Sequence, residues 1–293
     1  MQTYQITDLE QLTGIKAHTI RIWEKRYKII EPFRTKTNIR YYNNDQARKL
    51  LNISTLIQYG YKISKIADMN LKEQDSIITL LSESDNLNAY ETLAVNALVN
   101  STLQYDEVAF EKTYSSALNR LGMKDTMLQI IYPFLKRIGI MWSIDDLTPA
   151  QEHFATTLLR RKLFSAIDGI EIPTRSKMKF ILFLPPNEWH EIGLLFTEYL
   201  LRINGAEVIN LGQNVPVENL SKIISATDAK YIFTFFVVNN KQEVYGEIEN
   251  LLKTQPNITL FFATALPELA QLTTNQRTVL MNDPKELLNF LSD

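Results

Sequence analysis

The chain has no cysteine among its 293 residues. Disulfides, thiolate nucleophiles and cysteine-based zinc sites are thereby excluded together. No apolar run approaches the roughly 18 residues that a membrane-spanning helix needs. The opening MQTYQITDLE has neither a basic stretch nor an apolar one, so no secretory leader is expected. Neither G-x-G-x-x-G nor a P-loop occurs, and HEIGL lacks the second histidine of H-E-x-x-H. Histidine is scarce, at His18, His153 and His190 alone. These absences point to the cytoplasm and away from nucleotide or zinc chemistry.

What is present is long enough for two or three domains. Apolar residues make up 45% and charged ones 22%, the composition of a globular protein. The net charge of −2 hides an asymmetry: residues 1–72 hold 13 Lys/Arg against 6 Asp/Glu, and the remainder hold 18 against 27. A small basic module on a larger acidic body predicts a polyanion-binding head joined to a sensing or assembly region.

In ITDLEQLTGIKAHTIRIWEKRY, Thr7 is expected to cap a short helix that Gly14 ends. A second helix begins near Ala17–His18, with Ile20 and Trp23 spaced for one buried face. Two short helices about a glycine turn form a helix-turn-helix pattern. The expected exposed face of the second carries His18, Thr19, Arg21, Glu24, Lys25 and Arg26, types suited to phosphates and base edges. RTKTNIRYY, turning at Thr37–Asn38, reads as a β-hairpin wing. Asn44 or Asp45 is expected to cap a third helix, and Lys62–Met69 to form a fourth.

TIRIWEKRY, RYY and the GYKISKI tail, in that order over residues 4–70, resemble the winged DNA-binding domain of the MerR family. The resemblance implies duplex DNA as a partner, with Arg21 and Lys25 on the helix and Lys36, Arg40 and Tyr41 on the wing in contact with it. Trp23 and Tyr42 are expected in the core. No sustained heptad follows Met69, so dimerisation must arise elsewhere.

Residues 75–170 read as a helical bundle, with helices near 74–82, 87–101, 106–120, 123–142 and 149–168 and Asp106 placed as a cap. IPTRSK at 172–177 reads as a linker. From 177 to 293 the period changes. KFILFLP, AEVINLG, KYIFTFFV, NITLFFAT and RTVLMND are short apolar runs separated by helical stretches, the pattern of a doubly wound, flavodoxin-like parallel sheet. The fold class is thus multidomain: a winged helix-turn-helix over 1–72, a four-helix bundle over 75–170 and an α/β domain over 177–293. Ligands of such sheets bind beyond the carboxyl ends of the strands, which is where His190 falls.

Glu188, His190 and Gly193 form E-x-H-x-x-G in the first strand-to-helix loop, preceded by the bundle. The combination resembles the cobalamin-binding module shared by B12-dependent methyltransferases, mutases and the light-responsive MerR-type repressors of the CarH/LitR group. By that resemblance His190 is the lower axial ligand of cobalt, Glu188 supports its imidazole, and Gly193 lets the helix start close to the ligand. Trp142, with Glu152-His153 after nine intervening residues, matches the W-x9-E-H of the photoreceptor regulators, whose residues cover the upper corrin face.

Three departures from that pattern stand out. Ser143 stands where the light-sensing group has a second cobalt-binding histidine, so a bis-histidine state is not expected. Thr234 is matched to a serine near the end of the third strand, where the nucleotide tail is buried. Ala263-Thr264 replaces a glycine pair at the fourth strand.

The resemblance as a whole implies a non-enzymatic, oligomeric DNA-binding repressor, a dimer or tetramer, that senses adenosyl- or methylcobalamin. Two alternatives stay open at this point. One is a regulator whose B12-like domain has lost its cofactor and answers to a protein partner. The other is a corrinoid-dependent methyltransferase subunit, which would have no need of the basic head.

Overall fold

The computed structural model describes residues 4–35, 37–58, 60–82, 87–143, 147–173, 176, 178–237, 242–264 and 277–292. It divides into two compact units, Met1–Ala155 and Thr156–Asp293.

The first unit opens with helix α1 (Ile6–Thr13) and helix α2 (Ala17–Tyr27). Gln5 caps α1 in place of Thr7, because it sits three residues before Asp8 and the two side chains cap reciprocally. Gly14 then turns the chain in the left-handed region at φ 72°, a conformation costly for any residue with a β-carbon. Lys16, at the start of α2, offers no side-chain cap. Glu10 supplies one from the preceding helix: it accepts from the Ala17 N–H at 2.8 Å and from Lys16 Nζ at 2.9 Å. Both bonds favour the carboxylate and hold its pKa below the ordinary 4.5, the Ala17 bond most of all.

The expected wing is present as β1 (Phe33–Arg34) antiparallel to β2 (Arg40–Tyr41). Its base is closed by backbone bonds between Tyr4 and Tyr42 at 2.8 and 2.9 Å. Helix α3 (Asn44–Gln58) is capped by Asn43, where Asn44 or Asp45 was expected. The reason is again a reciprocal pair: Asn43 and Gln46 each accept the other's backbone N–H, at 3.0 and 2.9 Å. A short α4 (Ile63–Ala67) follows.

The bundle contains α5 (Leu71–Ser82), α6 (Leu87–Gln104), α7 (Glu107–Thr126), α8 (Tyr132–Ser143) and the start of α9 (Pro149–Asp168). Asp106 caps α7 as expected, accepting from Ala109 N–H at 2.9 Å. Gly122, at φ 73°, breaks α7 internally, and a π-helical turn at Met127–Ile131 leads into α8.

The basic module and the bundle share a core. Every residue of α3 from Leu50 to Leu56 is buried. A helix apolar on one stripe alone would leave polar residues facing water. Here Asn52, Ser54 and Thr55 are buried, and the last two bond to other helices. Ser54 Oγ donates to the Thr13 carbonyl at 2.7 Å. On the α6 side, Asn96 Nδ2 donates to Thr55 Oγ1 at 2.6 Å, and Arg137 of α8 donates to Asn96 Oδ1. Desolvation pulls the Arg137 pKa down to about 10.

The second unit holds one parallel sheet of β3 (Lys179–Phe183), β4 (Glu207–Asn210), β5 (Tyr231–Phe236), β6 (Thr259–Thr264) and β7 (Thr278–Leu280), in the order β4-β3-β5-β6-β7. All five apolar runs singled out in the sequence are strands. Helices α10 (Ile192–Ile203) and α13 (Pro284–Ser292) cover one face, where Leu194, Leu201 and Leu287 pack with Phe180, Phe233 and Phe261. Helices α11 (Leu220–Thr227) and α12 (Gln242–Thr254) cover the other, packing on Ile181, Ile232 and Phe262. Parts of the 172–177 linker lie outside the described residues.

Candidate functional site

Helix α2 presents His18, Arg21, Ile22, Lys25 and Arg26 to solvent, while Ile20 is buried and Trp23 half-buried. Thr19 is half-buried beside His18, its hydroxyl 3.3 Å from the ring nitrogen. Glu24, expected on the exposed face, is instead turned under the wing. It accepts the Tyr42 hydroxyl, and Arg40 Nε lies 3.7 Å from its other oxygen. Arg40 therefore has one end committed to the protein. Tyr41 stacks on Phe33 with centroids 5.5 Å apart. Lys36 lies outside the described residues. Arg21, Lys25 and Arg26 together form an exposed cationic face.

The second candidate site is the loop between β3 and α10. Glu188, expected to support the imidazole of His190, is buried, and so is Glu191. Glu188 is 0% exposed and His190 beside it has a side chain 54% exposed. One oxygen of Glu188 accepts the N–H groups of Trp189 at 3.0 Å and His190 at 3.1 Å, and Nδ1 of His190 at 2.6 Å. The other oxygen accepts the Val237 N–H at 2.8 Å, just beyond β5. Glu191 pairs with Arg160 of α9. A carboxylate has no proton to give, so Nδ1 carries the hydrogen, and in the neutral ring the lone pair stands on Nε2. The loop is thus locked to two strand ends, and the nitrogen suited to metal ligation is the one turned away from the lock.

Trp189 is 58% exposed and Val237 43%, so apolar surface borders the imidazole. Sequence reasoning passed over both; Trp189, an aromatic between an acid and a histidine in a strand-end loop, was the available signal. Gln213, in the loop after β4, donates to the Trp189 carbonyl at 2.9 Å and adds a third anchor.

Gly193 is in the first turn of α10. A β-carbon there would meet ring atoms of Phe235 at 2.9 Å. The chain's own aromatic is thus one reason for a glycine here. Thr234 lies on the other side of the sheet from Gly193, because side chains alternate along a strand. Phe233 and Phe235 face α10, whereas Ile232 and Phe236 belong to the opposite cluster. Thr234 Oγ1 is buried without a hydrogen-bond partner among the described residues. Thr264 gives its hydroxyl to the Phe236 carbonyl at 2.8 Å.

Trp142, Glu152 and His153 lie in the first unit. Trp142 is exposed near the end of α8. Glu152 and His153 occupy the first turns of α9, with Oε2 and Nδ1 2.9 Å apart. Gln151 fixes that turn: it is buried, donates to the Leu103 carbonyl at 3.0 Å, and exchanges capping bonds with Thr148.

These residues fit cobalamin at one end. The Glu188–His190 pair offers an oriented imidazole beside exposed Trp189, a donor that could hold the cobalt of cobalamin. Between α10 and β5 the space is occupied by Phe235, and any group entering there must displace that ring. Among the described residues no cluster of three or more His, Asp or Glu stands ready to hold a bare metal ion. No helix among them is long and apolar enough to cross a membrane.

Residues 4–71 match the family described as MerR HTH family regulatory protein, and residues 94–165 match the B12 binding domain. Over 249 residues the chain is 26% identical to the HTH-type transcriptional repressor CarH of Myxococcus xanthus, spanning 84% of this chain and 83% of that one. The HTH-type transcriptional repressor CarA of the same organism is 27% identical over 224 residues, 74% of this chain and 71% of its own. Among solved structures, the monomethylamine corrinoid protein of Methanosarcina barkeri aligns over 62% of this chain and 90% of its own, at 14% identity and a TM-score of 0.47.

Proposed function

We propose that this chain, which joins a MerR-type helix-turn-helix module to a B12-binding helical domain, is a transcriptional repressor that binds duplex DNA through α2 and the wing and senses cobalamin through its remaining two-thirds. The observation that carries the sensing half is the buried Glu188 holding Nδ1 of His190 at 2.6 Å. A surface histidine has no use for a fully buried acid that also ties down two strand ends. Bound cobalamin would supply a cobalt centre able to exchange ligands. His190 would hold it through Nε2, and by the sequence resemblance Trp142, Glu152 and His153 are the residues of the helical region that would touch the corrin. Both matched relatives are repressors, which favours regulation over methyl transfer.

The exposed Arg21, Lys25 and Arg26 supply phosphate and base-edge contacts, with Tyr41 and the wing alongside. Assembly into a dimer or tetramer would place several such faces on clustered operator sites. A change of assembly then alters avidity without changing any single contact.

A second reading draws support from Phe235, which fills the space beside Gly193. In it the sheet domain has given up the cofactor and its strand ends receive a protein partner.

One experiment separates the two. The purified chain and His190→Ala are incubated in the dark with adenosyl-, methyl- or hydroxocobalamin, freed of unbound ligand, and their visible spectra recorded. Retained corrin absorbance that shifts or disappears in the variant supports the sensor. Absence of corrin in both proteins overturns it and leaves the partner-controlled regulator.

A further inference from the structure

On the exposed face of α2 one residue does not match its surroundings. Ile22 is 53% exposed, and its helical neighbours four before, three after and four after are His18, Lys25 and Arg26. The helix already has a buried stripe, anchored by Ile20 with Trp23 and Tyr27 half-buried, so Ile22 is not part of its core seam. Single exposed apolar residues are common and need no cause in themselves. The cause here lies in position, at the centre of a cationic patch.

The cations around Ile22 can be satisfied by phosphates or by guanine edges. Ile22 can accept neither kind of contact, having no donor or acceptor beyond its backbone. On the floor of a major groove a single base-pair feature is apolar, the C5 methyl of thymine. Resting on the reading that α2 enters a major groove, we infer that Ile22 is a specificity-determining residue that packs on a thymine methyl, with Lys25 and Arg26 holding the helix in register on the backbone. The charged neighbours draw the helix to any duplex, and Ile22 discriminates among duplexes. Desolvating its side chain and one methyl is favourable at a thymine. At cytosine the same side chain would cover an amino group and leave a donor unpaired.

The test uses the full chain and chemistry that removes nothing except the methyl. Binding sites are first selected from a pool of randomised duplexes. Each thymine of the selected site is then replaced in turn by deoxyuridine, and Kd is measured by fluorescence anisotropy at one salt concentration for the wild type, Ile22→Val and Ile22→Ser. At one thymine per half-site the replacement is expected to weaken the wild type about fourfold, the worth of one buried methyl-sized group. The same replacement should weaken Ile22→Val by a similar factor and leave Ile22→Ser unchanged.

Wild-type binding that is indifferent to every deoxyuridine overturns the inference. So does a loss that persists undiminished in Ile22→Ser. Both results leave DNA binding intact. Failure to enrich any duplex removes the DNA-binding reading itself. A changed oligomeric state of Ile22→Ser by light scattering, without coupling to any methyl, would assign the residue to a protein interface and overturn its role in readout.

Discussion

The carboxylate of Glu188 lies 2.6 Å from Nδ1 of His190, with the acid wholly buried and the ring half in solvent. The acid also accepts three backbone N–H groups, from Trp189, His190 and Val237. Every partner of this carboxylate named here is therefore a donor. That arrangement needs an acceptor on both oxygens.

Replacing Glu188 by Gln forces the amide NH2 against an N–H, whichever way the side chain is turned. The expected cost is about 2 kcal/mol or more, and Glu188→Ala should cost at least as much by leaving the N–H groups without their acceptor. Urea unfolding of the two variants checks this. A loss under about 0.5 kcal/mol, the scale of an ordinary surface change, would show that the loop does not depend on its buried acid.

Gly193→Ala should destabilise the second unit by about 1–3 kcal/mol, because its methyl would lie 2.9 Å from the Phe235 ring. Phe235→Leu in the same chain should recover part of that loss, measured as a double-mutant cycle. Strict additivity of the two changes would break the proposed contact.

Asn96→Ala removes the acceptor of Arg137 and the donor to Thr55 in one step. A desolvated guanidinium without its acceptor costs about 2–3 kcal/mol. The loss should appear in thermal unfolding of the wing module and the bundle together. Unfolding of the module alone would contradict the shared core.

Glu10 gives a pH dependence whose sign is fixed. Its pKa is lowered in the folded chain, so its contribution is present above the ordinary 4.5 and lost as pH falls through the lowered value. The difference in urea midpoint between wild type and Glu10→Gln should therefore be seen at neutral pH and vanish in acid. A difference that persists undiminished in strong acid would remove the carboxylate from its capping role.

Much of the architecture was legible. The five strands stood out because parallel strands buried on both faces read as near-continuous apolar runs, and Asp106 marked a helix start by its own chemistry. Other features depended on partners distant in sequence. Glu188 was readable as a partner of His190, but its burial and its bond to the Val237 N–H, 49 residues away, were not. Thr234 was matched by its type, whereas strand alternation had placed Phe235 toward α10. The burial of Ser54 and Thr55 in α3 was not legible, because their partners Thr13 and Asn96 sit on other helices. The capping residues missed at α1 and α3 were reciprocal pairs three apart, Gln5–Asp8 and Asn43–Gln46, recognisable by both members together and not by the cap residue alone.

The all-round burial of Leu50–Leu56 in α3 bears on how such a protein can be built and rebuilt. A reading head attached by a free tether can be exchanged among sensors as a cassette, cut at the tether and rejoined. Here a cut near residue 72 would strip Thr55 of Asn96 and expose one side of the stretch Leu50–Leu56, which is buried all round. The heritable unit is thus the head together with α6 and α8. Recombination that preserves function must find its crossover beyond the bundle, and a chimera that borrows a new operator preference would do better to exchange the outer face of α2 than the domain that carries it.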